Sequence, residues 1–295
     1  MARELAEWLT QYLHRPVLVC AVLGVLPFTG ILSAAVITLV VLRRGARDGL
    51  FVCLGAAALI GVMALLVSVP VWGWVVSAGV MWIPALGLAS LLGLSGSLNL
   101  AVQVAVVLGC VSIVLGFGFA DPVAASNRFI ETVFLPFLEQ LGAPIDPGVD
   151  FSQLAWFMPG FMISSASLGF LLSLFLGRWL QKLLVEPGSF GAEFRSLRMG
   201  LVIGILGSFV FVITPLTPYA VFDNLLLVLL VGFVMQGISV AHTVVQAYGL
   251  NIGILLVMYI LFPLVPILAT TMMAGIGFTD NWLNLKAMAA RGKSS

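Results

Sequence analysis

Long apolar runs recur along the chain and are separated by short polar segments. An apolar run of about twenty residues is long enough to cross a bilayer as an α-helix. Charged residues keep to the separating segments: none occurs between Asp48 and Asp121, and only Asp223 occurs between Arg198 and Asp280. The pattern predicts an all-α, polytopic transmembrane helix bundle of about eight spans, with short amphipathic interfacial helices. We expect residues 1–295 to form a single integral membrane domain.

The predicted spans, with a turn at Pro70 between the second and the third, are residues 16–42, 49–69, 71–93, 98–119, 153–176, 199–216, 225–242 and 251–277. The first and last runs contain residues that interrupt helices. Gly24, Pro27 and Gly30 make the first run either one kinked helix or two half-helices. Pro263 and Pro266 leave the last run as either one span or a segment that turns back.

Three polar segments flank these runs. Residues 1–15 form a predicted interfacial helix, in which Leu5, Trp8, Leu9 and Tyr12 share one face. Residues 120–152 form a predicted exterior acidic loop that carries one amphipathic helix, around residues 124–141. Residues 278–295 form a polar tail.

Residues 178–198 form a basic loop, because Lys and Arg side chains outnumber Glu186 and Glu193 there. Short loops with such an excess stay in the cytoplasm. The loop is therefore predicted to be cytoplasmic, either as a topology anchor alone or also as a docking surface for a protein partner. Its candidate contact residues are Arg178, Lys182, Arg195 and Arg198.

A short helix is expected inside this loop, after the turn signal Glu186-Pro187-Gly188. Phe190, Phe194 and Leu197 recur at helical spacing and predict an apolar stripe that rests on the membrane surface.

Four predicted spans separate this loop from the basic segment at residues 43–47, so both lie on the same side. Eight spans would put both chain ends outside. The tail residues Lys286, Arg291 and Lys293 favour the cytoplasm instead, so the sequence leaves the side of the termini open.

The amino-acid composition narrows the class of protein. Hydrophobic residues make up 61% of the 295 residues and charged residues 8%, with a mean hydropathy of +1.18. A soluble domain carries about 25% charged residues. We therefore predict a polytopic membrane protein in contact with the lipid bilayer, with no large soluble domain and no nucleic-acid partner. The cysteines Cys20, Cys53 and Cys110 stand apart in apolar runs and predict neither disulfides nor a metal site.

Small residues recur every four positions in two of the predicted spans. One series is Ser165, Gly169, Ser173 and Gly177, and another begins at Gly200 and Gly204. Such faces let helix backbones approach closely, either within the bundle or at a dimer interface.

Polar residues inside the spans are candidates for a ligand lining, because each must be hydrogen-bonded within the bundle or face a wet cavity. The largest set lies on the seventh span at spacings of one helical turn. The alternative is plain hydrogen bonding between helices. The candidate ligand-binding residues are Gln236, Ser239, His242 and Gln246 on that span, and Asn99 and Gln103 on the fourth.

Motifs for catalysis are missing from the sequence. HExxH, GxSxG and Walker A patterns do not occur, and Gly116-Phe117-Gly118 lacks the rest of a dinucleotide fingerprint. We expect no enzymatic activity and no cofactor.

Two segments resemble the YybS-like family of bacterial membrane proteins. They are residues 176–198, with Gly177-Arg178-Trp179 and Phe190-Gly191-Ala192-Glu193-Phe194-Arg195, and the tail Asp280-Asn281-Trp282-Leu283-Asn284-Leu285-Lys286; Leu42-Arg43-Arg44-Gly45 also fits. The family has no established function, and its fold is thought to be related to the substrate-binding S components of energy-coupling-factor transporters. The resemblance implies a membrane-embedded binding or transport subunit.

One feature departs from those transporters. The first helix of an S component carries an Ala-xxx-Ala face that meets the coupling subunit, whereas this chain reads Ser33-Ala34-Ala35-Val36-Ile37-Thr38. Coupling to such a subunit is therefore not expected. Two hypotheses follow: a subunit that binds or passes a small ligand, or a non-transporting scaffold that holds a membrane or cytoplasmic partner.

Overall fold

The structure is a computed structural model that describes residues 1–66, 71–142 and 150–291. Pro70, Asp146 and Lys293 lie outside the described residues. Every regular element within these ranges is helical. The α-helices are α1 Ala2–Gln11, α2 His14–Val25, α3 Gly30–Arg44, α4 Ala46–Leu66, α5 Val71–Ser95, α6 Leu98–Phe119, α7 Pro122–Phe129, α8 Leu135–Gln140, α9 Ser152–Val185, α10 Ser189–Arg195, α11 Gly200–Ile213, α12 Ala220–Ala247, α13 Gly253–Leu264, α14 Pro266–Leu283 and α15 Leu285–Arg291.

Five helices in the described residues are long and apolar enough to cross a membrane. They are α4, the Ala78–Ser95 part of α5, α6, α9 and α12. Helix α10 and the segment Gly200–Leu216, bent by 45°, give up to six spans if they are taken together. The predicted number of about eight is therefore not confirmed. The two interrupted runs account for the difference from six, and the predicted span 199–216 is also missing from the count of five.

The first interrupted run is two half-helices. Helix α2 has 12 residues and rises about 18 Å, less than the hydrocarbon thickness. The chain turns at Phe28, which has a φ of 65°, and α3 packs back on α2, with Ser33 Oγ donating to the Cys20 carbonyl at 3.2 Å. Arg44 Nε, at the end of α3, donates to the Thr10 carbonyl of α1 at 3.0 Å. The N-terminal helix and the end of α3 therefore lie on the same side.

The last interrupted run is also divided. Helix α13 has 12 residues, and α14 starts at Pro266, where its missing N–H costs no helical hydrogen bond. At the other end of α14, Arg198 Nη2 donates to the Asn281 carbonyl at 3.2 Å. The tail therefore begins beside the residue that ends the basic loop.

The chain divides into two compact units, of which the first is Met1–Ala105 with Leu168–Leu197. Its core centres on α3, where residues 33–41 are all buried. Trp82 of α5 donates from Nε1 to Ser33 Oγ at 2.8 Å. Gly177 of α9 permits close packing on α3, since a Cβ there would lie 2.5 Å from Thr38.

Helix α1 lies on the surface of the first unit. Ala6 and Leu9 are buried, whereas Leu5, Trp8 and Tyr12 are 44–52% exposed. The predicted four-residue apolar face is thus divided: Leu9 packs on the protein, and the other three residues remain available to the bilayer interface.

The second unit is Val106–Ser167 with Arg198–Ser295. Helices α12 and α14 touch at Gly237 and Gly277, where a Cβ would collide with the carbonyls of Met273 and Phe233 respectively. Between α6 and α9 the chain is helical from Pro122 to Gln140, with a π-helical turn at Ile130–Phe134. Asp121 caps this helix by accepting from the Ala124 N–H at 2.9 Å.

Candidate functional site

A buried polar cluster in the second unit is built around Gln236, near the middle of α12. Its side chain is fully buried. Oε1 accepts from the Met199 N–H at 2.8 Å, and Nε2 donates to Asp280 Oδ2 at 2.7 Å. The Met199 N–H precedes α11 and has no carbonyl of its own helix to pair with, so the Gln236 carboxamide satisfies it.

Asp280 and Lys286 supply the charges of the cluster. Asp280 is fully buried, and the Lys286 side chain is only 10% exposed. The Lys286 ammonium lies 3.8 Å from Asp280 Oδ2 and donates to Ser239 Oγ at 2.7 Å. A buried charge without a partner is costly, so each of these two charges stabilises the other.

The chain reaches this geometry through a left-handed turn at Asn284, with φ 54° and ψ 55°. Asn tolerates this conformation better than most residues. The turn ends α14 and starts α15, and it lets the Lys286 N–H donate to Asp280 Oδ1 at 3.1 Å. Asn284 thereby folds the tail back onto the end of α14.

Burial lowers the pKa of the Lys286 ammonium to about 8. The Asp280 carboxylate acts in the opposite direction, and the Arg198 guanidinium adds to the lowering. The ammonium is thus held in a site where its charge is only partly compensated.

An apolar cavity of about 370 Å³ lies in the same unit, between α11, α12 and α14. Phe233 and Phe278 pack edge to face at 5.3 Å within its wall. The cavity is open at exposed residues of α14, among them Gly275 and Thr279. Thr279 directly precedes Asp280 in α14, so the cavity and the buried polar cluster share this helix.

The four candidates on α12 separate into different surroundings. Gln236 and Ser239 belong to the buried polar cluster. His242 Nε2 lies 2.9 Å from the Tyr259 hydroxyl of α13. Gln246 is exposed. The residues share one helix as predicted, but they do not converge on one cavity.

Asn99 and Gln103 belong to the first unit, where both are half-buried on α6. Asn99 Nδ2 donates to the Ser196 carbonyl at 3.3 Å. The candidates on α12 belong to the second unit.

The basic loop is organised by an ion pair. Arg178 Nη2 lies 2.9 Å from Glu193 Oε1, with both side chains mostly buried, and Arg178 Nη1 donates to Gln181 at 2.9 Å. Lys182 pairs with Glu186 at 3.0 Å. The predicted turn is present, with Gly188 at φ 91°.

The expected apolar stripe of α10 packs on protein. Phe194 meets Phe175 of α9 edge-on at 5.4 Å, and Leu197 is fully buried. The expectation that this stripe rests on the membrane surface is wrong for Leu197, because that residue is fully buried, and it stays a prediction for the partly exposed Phe190 and Phe194.

Asp280 and Lys286 were not among the residues predicted for a site. In the sequence, Lys286 bears on the side of the chain end, and the tail resembles a family ending. A physical signal was available, because Asp280 ends an apolar run without a neighbouring charge, and such a carboxylate needs a partner. The identity of that partner depends on the turn at Asn284, which spacing alone does not predict.

Neither a family model, nor a curated protein, nor a solved structure matches the chain.

Proposed function

We propose that this chain is a polytopic protein of the bacterial inner membrane that binds a small ligand or passes it across the bilayer, in the manner of a transporter S component. The observation that carries the proposal is the apolar cavity of about 370 Å³ beside the buried polar cluster. Its volume falls within the range of small-molecule sites, about 300–1,000 Å³. The role is non-catalytic.

The cavity lining favours a mostly apolar ligand. Leu226, Leu230 and Phe233 of α12 face Phe278 of α14, and threonines supply the few polar groups. The opening lies at exposed residues of α14, among apolar side chains that suit a bilayer. A ligand that dissolves in the membrane therefore fits better than a strongly polar solute.

The two interrupted apolar runs also support transport. In many transporters, short or Gly/Pro-interrupted hydrophobic segments in the two halves of the chain mark the substrate site. Here α2 and α3 belong to the first unit, and α13 and α14 to the second. Helix α14 lines the cavity.

Filling the cavity tests the proposal. Gly275 lines it and has nothing within 4 Å of a Cβ position, so Gly275→Leu is expected to fold and to occlude the space. Gly87→Leu on the exposed side of α5 is the matched control, with an equally open Cβ position. Wild type and both variants are purified in nanodiscs, and co-purifying small molecules are compared by mass spectrometry. A molecule present in wild type and Gly87→Leu but lost from Gly275→Leu supports the proposal, whereas identical extracts contradict it.

A scaffold that docks a protein partner is the second candidate, because the Arg178–Glu193 pair gives the basic loop a defined shape. Arg195→Ala tests it, with Arg128→Ala on α7 as the control of equal charge change. A membrane or cytoplasmic protein that co-purifies with wild type and with Arg128→Ala, but not with Arg195→Ala, favours this role. The resemblance to the YybS-like family is compatible with both candidates.

A further inference from the structure

The Asp280–Lys286 pair is a titratable centre that the ligand cavity does not require. Its two charged groups come from positions six residues apart and meet only because α15 folds back on α14. The Asp280 side chain has no solvent contact, and the Lys286 side chain is 10% exposed. Lys286 thus gives a proton a route to solvent, whereas an unpaired charge on the buried Asp280 carboxylate is costly.

We propose that Asp280 and Lys286 form a proton-binding site, in which Lys286 Nζ gains and loses the proton and the charge state controls how α14 and α15 are held against α12. Proton exchange at this pair is separate from ligand binding and needs no ligand in the cavity.

The protonated state is the one with the contacts described. The ammonium donates to Ser239 on α12 and compensates Asp280 on α14, so it ties the tail to two helices. When Lys286 releases its proton to solvent, the ammonium becomes a neutral amine and Asp280 is left with an uncompensated negative charge. Gln236 Nε2 and the Lys286 backbone N–H still donate to Asp280, but these two hydrogen bonds do not replace an opposite charge.

The effect reaches the cavity because the pair and the cavity share two helices, α12 and α14. Phe278 and Thr279 line the cavity and directly precede Asp280. Phe233 lines it from α12, and Gln236 follows within one helical turn. Any shift of the end of α14 that relieves the charge on Asp280 therefore moves the cavity wall.

The surrounding elements contribute few other charges. Among the described residues, the titratable or charged groups besides the pair on these elements are Arg198 before α11, Asp223 at the start of α12, His242 on α12, Tyr259 on α13 and Arg291 on α15. Arg198 acts on Lys286 in the direction of proton release. The lowered pKa of Lys286, about 8, brings proton exchange close to neutral pH.

The first measurement follows the proton itself. The lysines of the chain are Lys182, Lys286 and Lys293, so protein labelled with ¹⁵N at the lysine ζ position and placed in nanodiscs gives a simple spectrum. The signal that disappears in Lys286→Arg belongs to Lys286. We expect its titration midpoint near pH 8; a midpoint above pH 10 would overturn the proton site.

The second measurement follows the cavity wall. A bimane label is attached to Thr279→Cys after the native cysteines have been replaced, and its emission is recorded from pH 6 to pH 10. The emission should change over the same range as the Lys286 signal. It should stay flat in Lys286→Arg, because a guanidinium keeps its proton below about pH 12. A label on Gly87→Cys in the first unit should not respond.

Two results would overturn the link to the cavity: a flat Thr279 label while Lys286 titrates, or an unchanged response in Lys286→Arg. Lys286→Arg keeps the positive charge and the donor, so it is expected to fold. Ser239→Ala removes the hydroxyl that accepts from Lys286 Nζ. It should shift the midpoint of the cavity response without abolishing it, and a midpoint identical to wild type counts against the Ser239 contact.

Discussion

The side-chain amide of Asn224 on α12 is inserted between two backbone atoms of α9 that pair with each other in a regular helix. Its Oδ1 accepts from the Gly160 N–H, and its Nδ2 donates to the Trp156 carbonyl at 2.9 Å. Pro159 is the adjacent residue and removes a backbone donor from the same turn. Asn224 of α12 therefore supplies hydrogen-bond partners to a weakened turn of α9. Gly160 makes room for it, since a Cβ there would lie 2.7 Å from the Asn224 Cα.

Asn224→Leu should destabilise the second unit by about 1–3 kcal/mol, because two buried backbone groups of α9 lose their partner. Asn127→Leu on α7 is the control, since that residue is partly exposed. Unfolding of both variants in a detergent-to-SDS titration measures the difference. Equal midpoints for the two would show that the Asn224 amide is not needed by α9.

Gly237→Ala should also destabilise the protein, although Ala is normally better than Gly in a helix by about 1 kcal/mol. A methyl group at Gly237 collides with the backbone carbonyl of Met273, which cannot move aside as a flexible side chain can. Gly275→Ala on α14 has open space and should be neutral or stabilising. The two melting temperatures, measured in the same detergent, should shift in opposite directions; a shift of the same sign would argue against close contact of α12 and α14.

The sequence predicted the helical class well, because charge-free runs of this length have few other ways to satisfy their backbone. The count of about eight spans was not confirmed, chiefly because of the two interrupted runs. Pro27 and Pro266 predict a break in the helix. Whether the chain then goes on across the membrane or turns back depends on tertiary contacts, such as that of Ser33 with Cys20. Hydropathy does not contain that information.

The candidate site was predictable only in part. Gln236 and Ser239 were found because polar residues in a span need partners. Their partners come from beyond the last run, through the backbone turn at Asn284. His242 and Gln246 continue the same helical face, yet α12 extends past the cluster, so a shared face did not place them in a shared site.

The side of the membrane on which each loop lies can be tested with single cysteines. Cysteines at Arg47 and Glu186 should be shielded from an impermeant thiol reagent in intact cells, and one at Glu139 should react, because the basic loops are expected inside. Arg3→Cys should be shielded as well, since α1 is bound to Arg44 at the end of α3. All four are made without the native cysteines. Labelling of Arg3→Cys from outside would restore the topology in which the first run crosses the membrane once.

Gln236→Leu separates a structural role of this residue from direct ligand contact. The exchange keeps a similar size but leaves the Met199 N–H unpaired and removes a donor from the buried Asp280 carboxylate. We expect a loss of about 1–3 kcal/mol in stability, because both groups remain buried. Gln246→Leu, at an exposed position of the same helix, should stay within about 0.5 kcal/mol of wild type. SDS titration of both variants measures stability, and the extracts are compared by mass spectrometry. A lower midpoint with an unchanged extract assigns Gln236 to the scaffold of the cluster, whereas an unchanged midpoint with a lost small molecule would make it part of the ligand site.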